Sequence, residues 1–109
     1  MFGVQAWQNP ESVSIVISRV IVDVTTIASA ACKLDLGTTA TDATTASDNL
    51  IDGIDVNAGT GLLGIADGDG TNGKYQQKLA SGKWVTVKEI SGNATGLVGA
   101  AYIYYSLVQ

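Results

Sequence analysis

Val13-Ser14-Ile15-Val16-Ile17-Ser18-Arg19-Val20-Ile21-Val22-Asp23-Val24-Thr25-Thr26 decides the fold class. Odd positions Val13, Ile15 and Ile17 are apolar, with Ser14 and Ser18 among the even ones, the period of a half-buried strand. After Ser18 the phase shifts: Val20, Val22 and Val24 become the apolar set, with Arg19 and Asp23 opposed to them. A phase change inside one run predicts a β-bulge, or a strand that turns a corner between two sheets.

Outward from this run the pattern stays β. Residues 31–36 read as a strand with Cys32, Leu34 and Leu36 on one face and Lys33 and Asp35 on the other. Residues 37–47 read as a loop rich in Thr, Ala and Asp. Ser47-Asp48-Asn49-Leu50-Ile51-Asp52-Gly53 has the signals of one helical turn, with Ser47 as cap and Gly53 as terminator. Short apolar pieces follow at 54–56 and 62–65. Asp67-Gly68-Asp69-Gly70-Thr71-Asn72-Gly73 is the densest turn signal in the chain. Residues 74–79 and 83–90 read as strands joined by a hairpin at Ser81-Gly82. Residues 97–108 form the last and longest strand, apolar or aromatic on both faces. Such a strand is covered on both sides or faces a partner subunit.

Six to eight short strands without a long helix predict an all-β domain, a β-sandwich of jelly-roll-like kind. The 109 residues make one domain, with the sandwich at 12–109 and an extended N-terminal arm at 1–11. The arm carries Phe2, Val4 and Trp7 before the break at Pro10. It either docks on a neighbour or folds back over its own core; as a docking arm it supplies interface residues.

Composition excludes several chemistries. There is one cysteine and no histidine, so no intramolecular disulfide, no Cys/His zinc site and no histidine-dependent triad can form. Cys32 lies among small apolar residues and reads as a buried hydrophobe. Six Lys and Arg stand against ten Asp and Glu, a net charge of −4. The basic residues form no cluster, so nucleic acid is not an expected partner. No apolar run reaches the roughly 18 residues of a membrane span, and residues 1–10 lack the features of a secretory signal.

The motifs that might carry chemistry are weak. The turn at residues 67–73 invites calcium, but an EF-hand loop needs Gly at its sixth position and Glu at its twelfth, where Asn72 and Lys78 stand. Gly59-Thr60-Gly61-Leu62-Leu63-Gly64 has dinucleotide-motif spacing but is followed by a turn and not a helix. Asn93-Ala94-Thr95 is a glycosylation acceptor only in a secretory context. No carboxylate pair stands out for glycoside hydrolysis. The expectation is therefore no enzyme, no cofactor and no metal. Trp84 and Tyr75 are candidate surface-binding aromatics; Tyr102, Tyr104 and Tyr105 are candidate interface residues.

Four segments carry a resemblance: Ser18-Arg19-Val20-Ile21-Val22-Asp23-Val24-Thr25-Thr26, Ala46-Ser47-Asp48-Asn49-Leu50-Ile51-Asp52-Gly53-Ile54-Asp55-Val56, Gly70-Thr71-Asn72-Gly73-Lys74 and Gly96-Leu97-Val98-Gly99-Ala100-Ala101-Tyr102-Ile103. Over residues 13–108 the chain resembles small virion proteins of tailed bacteriophages, of the capsid decoration (cement) or head-fibre type. The resemblance carries no catalytic motif, and residues 1–10 lie outside it. It implies a β-rich homo-oligomer that binds the major capsid protein on the capsid surface after assembly in the host cytoplasm, with no nucleic acid and no membrane as partner. The alternative is a carbohydrate- or receptor-binding module such as a fibre tip, with Trp84 or Tyr75 in a shallow groove.

Overall fold

A computed structural model describes residues 5–108. It is all-β: β1 (Gln5–Gln8), β2 (Ile15–Thr26), β3 (Cys32–Thr39), β4 (Ile51–Asp55), β5 (Gly61–Leu63), β6 (Gln77–Leu79), β7 (Trp84–Gly92) and β8 (Val98–Leu107), with one 3-10 turn at Ile65–Asp67. All pairings are antiparallel. One sheet runs β1-β7-β3-β4. The other is built on β2, which carries β8 along one side and β5 and β6 on the other.

β2 shows why the sequence folds this way. Ile15, Ile17, Val20, Val22 and Val24 are buried, the two phases read from the sequence. The ladder with β8 slips between Ile17 and Arg19. Ser18 is therefore the extra residue of a bulge, and the bulge keeps both apolar sets on the core side. Facing them are Leu34 and Leu36 of β3, Ile51 and Ile54 of β4 and Val85 of β7, all buried. Burying such side chains contributes about 1.5–3 kcal/mol each, the main favourable term in folding. Cys32 joins this core, and burial, then Glu89 and Asp55, pushes its thiol pKa up. That is the reverse of what a nucleophilic cysteine needs.

Two local expectations fail. Residues 47–53 form no helical turn; Ile51 instead opens β4. Asn49 Oδ1 accepts the Thr38 N–H at 2.8 Å, and the Leu50 N–H donates to the Leu36 carbonyl at 3.1 Å. These bonds extend the β3–β4 ladder and bury Leu50 and Ile51, which outweighs the local capping signal. Ser81-Gly82 is a turn, with Gly82 at φ 73°, but not a hairpin. It carries the chain from β6 in one sheet to β7 in the other.

Asn9 pins this corner. Its side chain is buried, and its Nδ2 lies 3.2 Å from the carbonyl oxygens of Val13, Leu79 and Ala80. Its Oδ1 accepts the Glu11 N–H at 2.9 Å, and its own N–H donates to Lys83 at 2.8 Å. A buried amide bonded this fully fixes the entry to β2 against the β6–β7 corner.

Candidate functional site

β8 has an unusual position for so apolar a strand. Residues opposite one another in an antiparallel pair share a face. Opposite the buried Val24, Val22, Val20, Ile17 and Ile15 lie Gly99, Ala101, Ile103, Tyr105 and Leu107, which therefore look toward the core. Val98, Ala100, Tyr102, Tyr104 and Ser106 look outward. Among the described residues β8 pairs only with β2, so its far edge presents backbone groups that no strand takes. Tyr102 and Tyr104 are each 49% exposed, Val98 is 55% exposed and Leu107 46%. No residue from Val98 to Leu107 carries a charge.

The strand borders an opening into the core. A groove of about 310 Å³ is lined by Val22, Val24, Leu34, Leu36, Val87 and Leu97, with Gly99, Ala100 and Ala101 at its β8 side and Gln5 opposite. Small side chains leave this seam unfilled. Gly99 is obligatory here, because a Cβ would press on the Asp23 carbonyl oxygen.

The aromatic residues singled out in the sequence divide by position. Trp7, half-buried on β1, meets Tyr105 with ring centroids 5.6 Å apart at 48°. The Tyr105 hydroxyl donates to Glu11 Oε2 at 2.8 Å; this bond, then desolvation, raises its pKa above the ordinary 10. This pair joins the two sheets at one end of the seam. The expected arm thus contributes a strand, β1, to the chain's own sheet, while Phe2 and Val4 lie outside the described residues. Tyr104 lies on the outer face with the Arg19 guanidinium 5.8 Å from its ring centre. Tyr75, 61% exposed, borders a shallow depression of about 380 Å³ with Arg19, Leu62 and Ile65, between the ends of β5 and β6. Trp84 is half-buried on the other sheet with Lys83 Nζ 5.9 Å from its ring. Trp84 thus lies on β7, whereas Tyr75 lies in the segment leading into β6 of the other sheet, and the depression that Tyr75 borders does not include Trp84.

A second cluster was not legible in the sequence. Asp35, Asp48 and Asp52 bring carboxylate oxygens within 4.8 Å of one another. The turn at residues 67–73 folds over them: the Thr71 and Asn72 N–H groups both donate to Asp52 Oδ2 at 3.0 Å, and Asn72 Nδ2 donates to Asp48 Oδ2 at 2.9 Å. Asp35 Oδ1 is buried with no hydrogen-bond partner. Desolvation, then Asp48 and Asp52, pushes the Asp35 pKa up to about 6, against a small opposing effect of the Gly53 N–H. Three carboxylate oxygens could hold a hard cation in part, though calcium takes six to eight oxygens. The acidic turn thus serves Asp52 with backbone donors.

The chain matches no protein-family model, and no curated protein or solved structure shows significant similarity to it.

Proposed function

We propose that this chain is a non-enzymatic structural virion protein that binds the outer capsid shell and stabilises it, as a decoration (cement) protein does. One observation carries the reading: a ten-residue strand without a charge, open along its edge and outer face among the described residues. Exposed apolar surface of this kind, continuous with a groove into the core, marks a place where another polypeptide sits. The partner is the major capsid protein, met at the capsid surface by a homo-oligomer assembled in the host cytoplasm. Repeated weak contacts on a symmetric shell add up through avidity, and ligands that bind only the assembled state stabilise it. The sandwich is of jelly-roll-like kind in this reading. In support, the chain changes sheet on five of its seven connections, β1–β2, β2–β3, β4–β5, β6–β7 and β7–β8.

The test is binding of the purified protein to shells that lack it, scored by stoichiometry and by the temperature at which the shell disrupts. The Tyr102→Ser/Tyr104→Ser double variant folds normally and loses binding; retained binding by that variant rejects the role of this face. Deletion of residues 1–4 asks separately whether Phe2 and Val4 contribute. A longer deletion to residue 10 would remove β1 and Asn9 and so test folding instead.

A carbohydrate- or receptor-binding module is the second reading. The depression beside Tyr75 and Arg19 supports it, since an aromatic face with a cation beside it suits a sugar ring. Saturable glycan binding lost in Tyr75→Ala would establish it; a glycan array without signal would dispose of it.

A further inference from the structure

The free edge of β8 is self-complementary, and we infer that it is where a second copy of this chain adds, strand antiparallel to strand, across a two-fold axis through Tyr102. This deepens the reading of β8 as a contact surface by naming the partner at its edge. The outer face of the joined strands stays available to a shell.

Three observations select a second copy over an unrelated strand. The first is the order of sizes along β8. Gly99-Ala100-Ala101 precedes Tyr102, and Ile103-Tyr104-Tyr105 follows it. With Tyr102 on the axis, Ala101 falls opposite Ile103 of the second copy, Ala100 opposite its Tyr104 and Gly99 opposite its Tyr105. Ala100 and Ala101 each meet a large residue, and Ala101 borders the open groove; Gly99 is small because of the Asp23 carbonyl oxygen. On the core-facing side the small Ala101 leaves room for Ile103 of the second copy, and on the outer face Tyr102 meets its own copy as an aromatic pair.

The second observation is charge. The chain carries −4, so two copies repel in net, whereas β8 has no charge to oppose another. On the outer face the same register sets no like charges against each other. Asp23 sits opposite Ala100 and Arg19 opposite Tyr104 on β2. The two-fold axis therefore puts Asp23, Ala100, Tyr104 of the second copy and its Arg19 in one row, with the Arg19 guanidinium already over Tyr104. The row occurs twice.

The third is the contrast with the other edges. Sheet edges are normally guarded by charges, brevity or distortion. β4 carries Asp52 and Asp55, β6 has three residues including Lys78, β5 has three and β1 has four. Among the described residues only β8 is a long and unguarded edge. In an antiparallel ladder alternate residues point to one side, so about five residues offer both N–H and C=O to an incoming strand.

Cysteine pairing and size exchange test the register. In an antiparallel pair, directly opposite Cα atoms lie about 4.5–5.5 Å apart, within disulfide range. Under mild oxidation Tyr102→Cys forms a covalent dimer, whereas Tyr104→Cys, placed opposite residue 100, does not. The buried Cys32 stays out of the reaction. Sedimentation equilibrium shows reversible dimers of the unmodified chain below about 500 µM. Ala101→Ile fills the core-facing groove that Ile103 of the second copy enters, at both ends of the interface, and weakens the dimer about tenfold. Ala101→Ile combined with Ile103→Ala exchanges the sizes within that row and restores it. A chain monomeric throughout, equal cross-linking through residue 104, or no restoration in the double variant overturns the proposal. These measurements need no shell. A monomer that still coats shells overturns this inference and the homo-oligomer but not shell binding, and a dimer that fails to coat them overturns only the shell-binding role.

Discussion

Replacing Asp35 with asparagine stabilises this protein at neutral pH and removes one specific pH dependence. The Asp35 carboxyl, ordinarily at 3.8, is pushed up to about 6 in the fold by desolvation and by Asp48 and Asp52. The folded state therefore holds this proton more tightly than the unfolded chain, and stability contributed by the group rises as pH falls. The rise occupies the window from about 7 down to about 4 and ends once the unfolded chain also binds the proton. At full value the displacement is about 3 kcal/mol. The site is only partly buried, and its neighbours Asp48 and Asp52 face water in part; screening reduces the figure to about 1–2 kcal/mol. Asp42 acts elsewhere. Hydrogen bonds, first from the Thr44 hydroxyl, hold its pKa below 3.8, so the stability it contributes is lost only at still lower pH. Urea unfolding at pH 7, 6, 5 and 4 of the parent and of Asp35→Asn gives the check. The parent gains on the variant as pH falls, and the variant is the more stable at pH 7. Equal slopes for the two proteins, or a variant destabilised at pH 7, would show that the unpartnered Oδ1 is not a strained charge.

Three further substitutions probe the fold. Asn9→Ala strands three carbonyl oxygens and an amide at the β6–β7 corner and costs about 2–4 kcal/mol in urea unfolding; a loss under 1 kcal/mol would mean water replaces the amide there. Gly92→Ala meets two penalties, a φ of 75° and a Cβ set against the Ala31 carbonyl oxygen. It should cost about 3 kcal/mol or more, read as a drop in thermal midpoint, and an unchanged midpoint would refute that backbone path. Ala101→Ile fills the seam and raises monomer stability by about 1 kcal/mol, measured by denaturation at low protein concentration, while it weakens self-association.

The strand-forming runs were legible because they obey local rules. The phase shift at Ser18 announced the bulge of β2, and the apolar pattern of residues 97–108 announced the strand β8. What was not legible depends on distant partners. Asp35, Asp48 and Asp52 stand apart in sequence, and only the β3–β4 pairing and the fold-over of the acidic turn bring them together. Asn9 carries no signal in the sequence; its role exists only once Leu79 and Ala80 arrive beside it. Ser47 and Gly53 gave sound capping signals that lost to the burial of Leu50 and Ile51. Ser81-Gly82 has hairpin chemistry, yet a tight turn fixes only the reversal of the chain, not the sheet that the next strand joins. The aromatic residues were visible one by one, but the placing of Trp84 on β7 and of Tyr75 in the approach to β6 of the other sheet was not.

Ala101→Ile separates two explanations of the seam. Gly99 must be small for a local reason, the Asp23 carbonyl, and so says nothing about function. Ala101 has no such constraint: it lies opposite the buried Val22 and faces a groove lined by Leu34, Leu36 and Val87. An added three-carbon chain would enter apolar space, and at about 0.8 kcal/mol per buried methylene even half-burial gives a gain near 1 kcal/mol. A chain shaped for its own stability would carry the larger residue. One shaped to receive Ile103 of a second copy must leave the space open and accept a weaker monomer. If Ala101→Ile stabilises the isolated chain and leaves self-association intact, the groove is a packing fault. If it stabilises the monomer and breaks the dimer, the vacancy beside Ala101 is the socket of the interface. If it destabilises the chain, the groove is narrower than its volume implies, and the size pairing along β8 loses its physical basis.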